Sequence, residues 1–199
     1  MIITWRSSLA ALLATLALAA CDAGGPKFNS TDITGVDYGK QLSLTDQNGK
    51  ARSLQDFRGK VVVLFFGYTH CPDVCPTTLA EMAQVMQKLG PDADRVQVLF
   101  VTVDPERDTP DVLSRYVPAF DKRFLGLYGD ADATRRAAKE FKIFYEVKKG
   151  EAPGEYTVDH SAGSYVLDTQ GRLRLFVAYG RVGADALTAD IRTLLREAG

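Results

Sequence analysis

The run Lys60-VVVLFFG, ending at Gly67, constrains the fold more than any other part of the chain. Six successive β-branched, aliphatic and aromatic residues lead into a glycine, with no alternation of polar and apolar positions. Such a run suits a strand covered on both faces, the situation of a sheet sandwiched between helices. From Cys75-Pro76 to Leu89 the period changes. Leu79, Met82, Ala83, Met86 and Leu89 share one side of a helix, and Gly90-Pro91 ends it. Val96 to Val103 then reads as a second buried strand. Strand, helix and strand in this order imply a crossover connection and parallel pairing.

The remaining segments extend that unit. Val36 to Leu54 predicts a small hairpin around the turn Asp46-Gln47-Asn48-Gly49. Asp108-Thr109-Pro110 has the polar cap and first-turn proline of a helix start. Phe124 to Tyr128 is a short strand and Asp132 to Phe141 a helix. Ser164-YVLD-TQG-RLRLFVAYG is a hairpin that turns near Thr169-Gln170-Gly171. A last helix begins at Gly183, with Leu187, Ile191, Leu194 and Leu195 on its inner side. Early parallel strands followed by a late antiparallel hairpin predict an α/β thioredoxin-like fold, a central mixed β-sheet flanked by helices.

The first twenty residues read differently. A single charge, Arg6, precedes LAALLATLALAA, twelve uncharged residues that meet Cys21. That run is shorter than the roughly 20 residues needed to span a bilayer, and it reads as a secretory signal. Leu18-Ala19-Ala20-Cys21 resembles the lipobox of bacterial lipoproteins, which makes Cys21 a lipidated N-terminus. Ordinary cleavage after Ala20 would instead leave a lone thiol. Residues 21–35 are rich in Gly, Ser, Thr, Asp and Asn and are expected to form a lipidated, flexible tether, with the folded domain over 36–199. The chain has 24 basic and 25 acidic residues, and cleavage removes only Arg6, so the mature balance of about −2 argues against nucleic acid as a partner.

Once Cys21 is set aside, two cysteines remain, too few for a disulfide-stapled scaffold. Cys71 and Cys75 lie in Gly67-Tyr68-Thr69-His70-Cys71-Pro72-Asp73-Val74-Cys75-Pro76, between the first buried strand and the first long helix. Strand ends in open α/β sheets favour ligands and reactive groups. A helix N-terminus favours thiolate, so at least one of the pair is expected to ionise more readily than a free cysteine. Thiol–disulfide oxidoreductases use two intervening residues, whereas this chain has three. At helical spacing, positions i and i+4 lie about 5–6 Å apart on one face, within reach of one ion. Two soft thiolates select copper(I) or zinc over hard cations, and a disulfide between them is the alternative. Of the two histidines, His70 directly adjoins Cys71 and reads as a surface imidazole. His160, in Val158-Asp159-His160-Ser161 just before the late hairpin, occupies a loop that thioredoxin-like folds place beside the cysteine-bearing helix start. It can close a Cys2His site there. Tyr156 to Leu167 also lacks the proline that thioredoxin-type oxidoreductases set opposite their cysteines.

Three pieces in order give the resemblance: the segment Gly67–Pro76, then Val103-Asp104-Pro105-Glu106-Arg107-Asp108-Thr109-Pro110, then Asp159-His160-Ser161. Together they resemble the Sco/SenC copper chaperones involved in assembling cytochrome c oxidase, over roughly Val36 to the C-terminus. The resemblance implies that Cys71, Cys75 and His160 bind copper, as Cu+ or Cu2+, and that the two cysteines cycle between dithiol and disulfide. It implies delivery of copper to the copper-site subunit of cytochrome c oxidase, or reduction of that subunit's cysteines. Another copper carrier or a thiol reductant would act upstream, at the periplasmic face of a bacterial membrane. Asp73 and Asp159 flank the ligands and are candidates for orienting them or for meeting a partner. The Asp104–Pro110 motif reads as a turn and a helix cap, with no chemistry of its own. The competing readings are a thioredoxin-like reductase or peroxidase, for which no local arginine is evident, and a copper or redox sensor.

Overall fold

In the computed structural model, residues 26–152 and 155–197 are described. They form an eight-stranded mixed sheet and a separate two-stranded ribbon. The strands are β1 (Thr31–Asp32), β2 (Ser43–Asp46), β3 (Ala51–Ser53), β4 (Val61–Gly67), β5 (Val96–Thr102), β6 (Leu125–Tyr128), β7 (Tyr145–Lys149), β8 (Tyr156–His160), β9 (Gly163–Leu167) and β10 (Leu173–Ala178). The four α-helices among the described residues are α1 (Val74–Leu89), α2 (Pro110–Tyr116), α3 (Ala131–Glu140) and α4 (Ala184–Arg196). The main sheet runs β1-β10-β9-β4-β5-β6-β2-β3. β4, β5 and β6 are parallel, and β9 and β10 form the antiparallel hairpin. This is the thioredoxin-like arrangement that the order of elements predicts.

β4 is central, and all seven of its residues are buried. Alternate side chains on a strand point to opposite faces, which divides the core in two. Gly67 and Phe65 face α1, and Phe65 meets Phe100 of β5 at 6.1 Å between ring centres. Phe66 points the other way and packs at a tilt against Phe141, just after α3, at 5.6 Å between ring centres. At about 1.5–3 kcal/mol for each large apolar side chain removed from water, this strand is a main source of stability. Its C-terminal end is therefore a rigid place to build a site. α1 and α4 pack against each other. α2 is capped as its sequence predicts, with the Thr109 hydroxyl accepting from Val112 N at 3.3 Å.

Two features differ from the sequence expectation. The expected tether over 21–35 is too long at its C-terminal end. Thr31 and Asp32 pair with Phe176 and Leu175, and the Asp190 carboxylate on α4 accepts from Asn29 N and Ser30 N, both at 2.8 Å. Gly, Ser and Asn content signalled a linker, but the backbone there pairs with a sheet edge and the Asn29 and Ser30 side chains bond to a helix instead. Cys21 and the signal segment lie outside the described residues. The second difference is the β7–β8 ribbon, which alternation alone does not reveal because most of its residues are exposed. His160 accordingly ends a strand rather than sitting in a loop. No helix among the described residues is long and apolar enough to cross a membrane.

Candidate metal centre

The site is assembled where β4 gives way to α1. Gly67 is required there by close approach, since a Cβ at this position would lie 2.8 Å from Cys75 Sγ. The chain then turns, with Cys71 N donating to Tyr68 O at 3.3 Å, and α1 begins at Val74. Cys75 is fully buried and Cys71 partly so. The backbone N–H of Cys75 donates to Cys71 Sγ at 3.4 Å, so the helix start aims a donor at the more accessible sulfur.

His160 approaches from β8. Its Nε2 lies 3.4 Å from Cys75 Sγ, and its Nδ1 lies 3.1 Å from the Ser161 carbonyl oxygen. A proton on Nδ1, donated to that carbonyl, leaves the Nε2 lone pair facing the sulfurs. The ring is wedged edge-on between Phe65 at 6.1 Å and Tyr68 at 5.9 Å. Burial lowers its pKa against the opposing pull of Ser161 and Asp159, which favours the neutral, metal-binding imidazole. The ligand atoms of Cys71, Cys75 and His160 all lie within 4.8 Å of one another. Three donors in a plane at bonds of about 2.0–2.3 Å would be separated by about 3.7 Å, so a first-row ion fits with small adjustments.

Burial pushes the Cys75 thiol up, not down. The expectation that at least one cysteine ionises easily is not met by this residue, because removal from water outweighs the hydrogen bond from the Tyr68 backbone. A metal that binds both sulfurs must displace the Cys75 proton.

His70 stands aside, as its sequence position predicts. Half exposed, its Nδ1 lies 3.2 Å from Thr69 Oγ1 and 3.9 Å from Asp108. Asp73 accepts from Thr77, through its backbone and side-chain oxygens, at the start of α1. Asp159 is exposed and stands opposite Glu146 on the ribbon. Neither aspartate makes a hydrogen bond to a ligand residue among the described contacts.

The residues that hold the ligands come from the motif read as a mere turn. Asp108 is buried and accepts from Thr69 N at 3.0 Å, Thr69 Oγ1 at 2.6 Å and Thr102 Oγ1 at 2.6 Å. It thereby ties the loop before Cys71 to the end of β5. Burial raises its pKa against those hydrogen bonds. Asp104 and Arg107 reach the other way. Arg107 Nε donates to Asp104 at 2.5 Å and Nη1 to the Tyr156 carbonyl at 2.9 Å, while Tyr156 Oη donates to Asp104 at 2.8 Å. One turn thus contacts both the cysteine loop and the strand that carries His160. The motif was visible in the sequence, but its partners are distant in the chain.

Phe144 and Tyr179, both exposed, flank Ser161 and Ala162 beside the centre through backbone hydrogen bonds. Two thiolates and one imidazole form a soft donor set, suited to copper or zinc, with fewer ligands than a closed structural site.

A family model described as SCO1/SenC matches residues 30–196. The Bos taurus protein named Protein SCO2 homolog, mitochondrial, is 40% identical over 153 residues, which cover 76% of this chain and 57% of the bovine protein. The chain thus spans less than two thirds of that relative. The copper-bound structure of Bradyrhizobium japonicum ScoI is 39% identical with a TM-score of 0.74, covering 79% of this chain and 99% of that one. The apo Sco1 structure from Thermus thermophilus is 43% identical with a TM-score of 0.75, covering 85% and 98%.

Proposed function

The chain belongs to the SCO1/SenC family, and on that premise we propose that it is a copper-binding metallochaperone for cytochrome c oxidase assembly, with Cys71, Cys75 and His160 as the copper ligands. The observation that carries this reading is the convergence of two sulfurs and one imidazole nitrogen within 4.8 Å, at the end of a rigid strand. Copper is the cargo. Cys71 and Cys75 supply soft sulfur, His160 supplies nitrogen, and the fourth side stays open to a donor atom of the recipient. Copper then passes by ligand exchange, one bond forming as another breaks, without release into water.

The same pair can serve a recipient whose cysteines are oxidised. Cys71 thiolate attacks one sulfur of the recipient disulfide, forming a mixed disulfide and releasing one recipient thiolate. Cys75 gives its proton to the released recipient thiolate and attacks Cys71 Sγ, expelling the second recipient sulfur as thiolate and leaving a Cys71–Cys75 disulfide and a reduced recipient. Against a turnover oxidoreductase stand the three residues between the cysteines and the absence of a proline from Tyr156 to Leu167, where His160 stands instead. The arginine closest in role to a peroxidase's, Arg107, is engaged by Asp104 and Tyr156.

We also place the protein at the periplasmic face of a bacterial membrane, anchored through a lipid on Cys21. The signal-like residues 1–20 and the Leu18–Cys21 motif support this reading. Metal analysis of the reduced protein tests the central claim: one copper per chain is expected. Cys71→Ser, Cys75→Ser and His160→Ala should each weaken binding strongly, whereas His70→Ala should weaken it little. Equal losses for the two histidine variants would show that the third ligand is wrongly assigned.

A further inference from the structure

Among the described residues, the β7–β8 ribbon pairs with no strand of the main sheet. An isolated two-stranded ribbon is marginal in water, so contacts outside it must fix its place. On the C-terminal side of His160, the chain runs through Ser161 and Ala162 into β9 of the main sheet. On the N-terminal side Val158 is buried in the core, and a second tie lies at Tyr156, four residues before His160 on the same strand. There the Arg107 guanidinium lies 3.5 Å from the centre of the Tyr156 ring, while its Nη1 donates to the Tyr156 carbonyl at 2.9 Å. Arg107 is itself oriented by Asp104, which also accepts the Tyr156 hydroxyl. The same guanidinium lies 5.7 Å from the Tyr68 ring, whose edge packs on His160.

We propose that Arg107 is a positioning residue for His160, clamping β8 so that Nε2 is held over the cysteine sulfurs, and that it thereby sets the affinity for copper(II). This rests on the reading of His160 as a copper ligand. Asp104, Tyr156 and Tyr68 converge on one planar cation, and a lysine cannot reproduce its fork or its stacking. Copper(II) needs the imidazole more than copper(I) does, because two soft thiolates already suit copper(I). Loss of the clamp should therefore be felt mainly in the cupric form.

The test uses the full-length chain in detergent, titrated with copper(II) and followed by the sulfur-to-copper absorption band. Arg107→Met should weaken copper(II) binding by about 10–100-fold, the usual effect of removing a group that orients a ligand. It should perturb the band while leaving formation of the Cys71–Cys75 disulfide intact. Arg107→Lys should recover only part of the affinity. In a His160→Ala background, Arg107→Met should add no further loss, because it acts through the imidazole. Tyr156→Leu removes the stacking platform from the other side and should repeat the result if Arg107→Met does not fold. Undiminished affinity in Arg107→Met, or an equal loss with and without His160, would overturn the positioning role while leaving the copper reading in place. Full affinity in His160→Ala alone would overturn the copper reading, and this inference with it.

Discussion

At the residue scale, the two cysteines are chemically unequal despite their shared motif. Cys75 is fully buried beneath the loop, and burial pushes its thiol up. Cys71 is partly exposed and receives the Cys75 N–H at the start of α1. Reactivity follows thiolate character and access together, so Cys71 should be the outward nucleophile and Cys75 the resolving group. Brief treatment of the reduced, copper-free protein with iodoacetamide should therefore modify Cys71 at least about tenfold faster than Cys75, read by peptide mass spectrometry. Similar rates would mean that the loop opens freely and that the buried sulfur is not sequestered. The candidate ligands were legible because their chemistry is rare: two cysteines besides Cys21, and two histidines of which one adjoins a cysteine. Arg107 was not legible. It binds Tyr156, 49 residues along the chain, and nothing local distinguishes an arginine in a turn from one that clamps a distant strand.

At the element scale, the strongly patterned pieces of the sequence reappear in the structure: β4, β5, α1, α4 and the β9–β10 hairpin. Each either hides both faces or carries a clean helical stripe, so burial writes its period into the sequence. The β7–β8 ribbon and β1 escaped because they are held by polar contacts and edges, which leave no such period. The β2–β3 hairpin is a case where turn chemistry was readable and its stabilisation can be tested. Asp46 is buried; its carboxylate accepts from Asn48 N at 2.9 Å, Lys50 N at 3.0 Å and Arg52 Nε at 2.7 Å. Burial pushes its pKa up, but Arg52 and the two backbone donors outweigh that and hold the carboxyl below its usual range. A carboxyl with a depressed folded pKa stabilises the protein above its unfolded pKa of about 3.9, and the gain is lost as the pH falls through the folded value. Asp46→Ala should therefore cost about 2–4 kcal/mol at pH 7 in urea unfolding. That difference should shrink as the pH drops below about 4. The same loss at pH 3 and pH 7 would show that packing, not the ionised carboxylate, holds the turn. Copper binding should be untouched, since β2 and β3 form the far edge of the sheet.

At the scale of the whole molecule, the N-terminal correction alters how the site meets its recipient. Had the linker run from Asp22 to Gly35, its fourteen residues could have reached about 50 Å. The hold of Asp190 on Asn29 and Ser30 leaves only residues 22–28 between the proposed lipid and the fold. Seven residues can span at most about 25 Å, so an anchor at Cys21 would confine the domain close to the headgroups. Such confinement would raise the effective concentration of copper at a membrane-bound recipient without any new contact. Cys21→Ser should release the protein from the membrane fraction and leave its copper affinity unchanged. It should also lower the activity of a copper-containing cytochrome oxidase in cells, most at limiting copper. Added copper should partly restore activity if delivery is the role, because mass action replaces proximity, whereas restoration only by a small thiol reductant would assign the role to cysteine reduction. Membrane retention of Cys21→Ser would point to an uncleaved signal as the anchor instead. Normal oxidase activity at limiting copper in cells without this protein, and without a relative able to replace it, would sink the chaperone assignment itself.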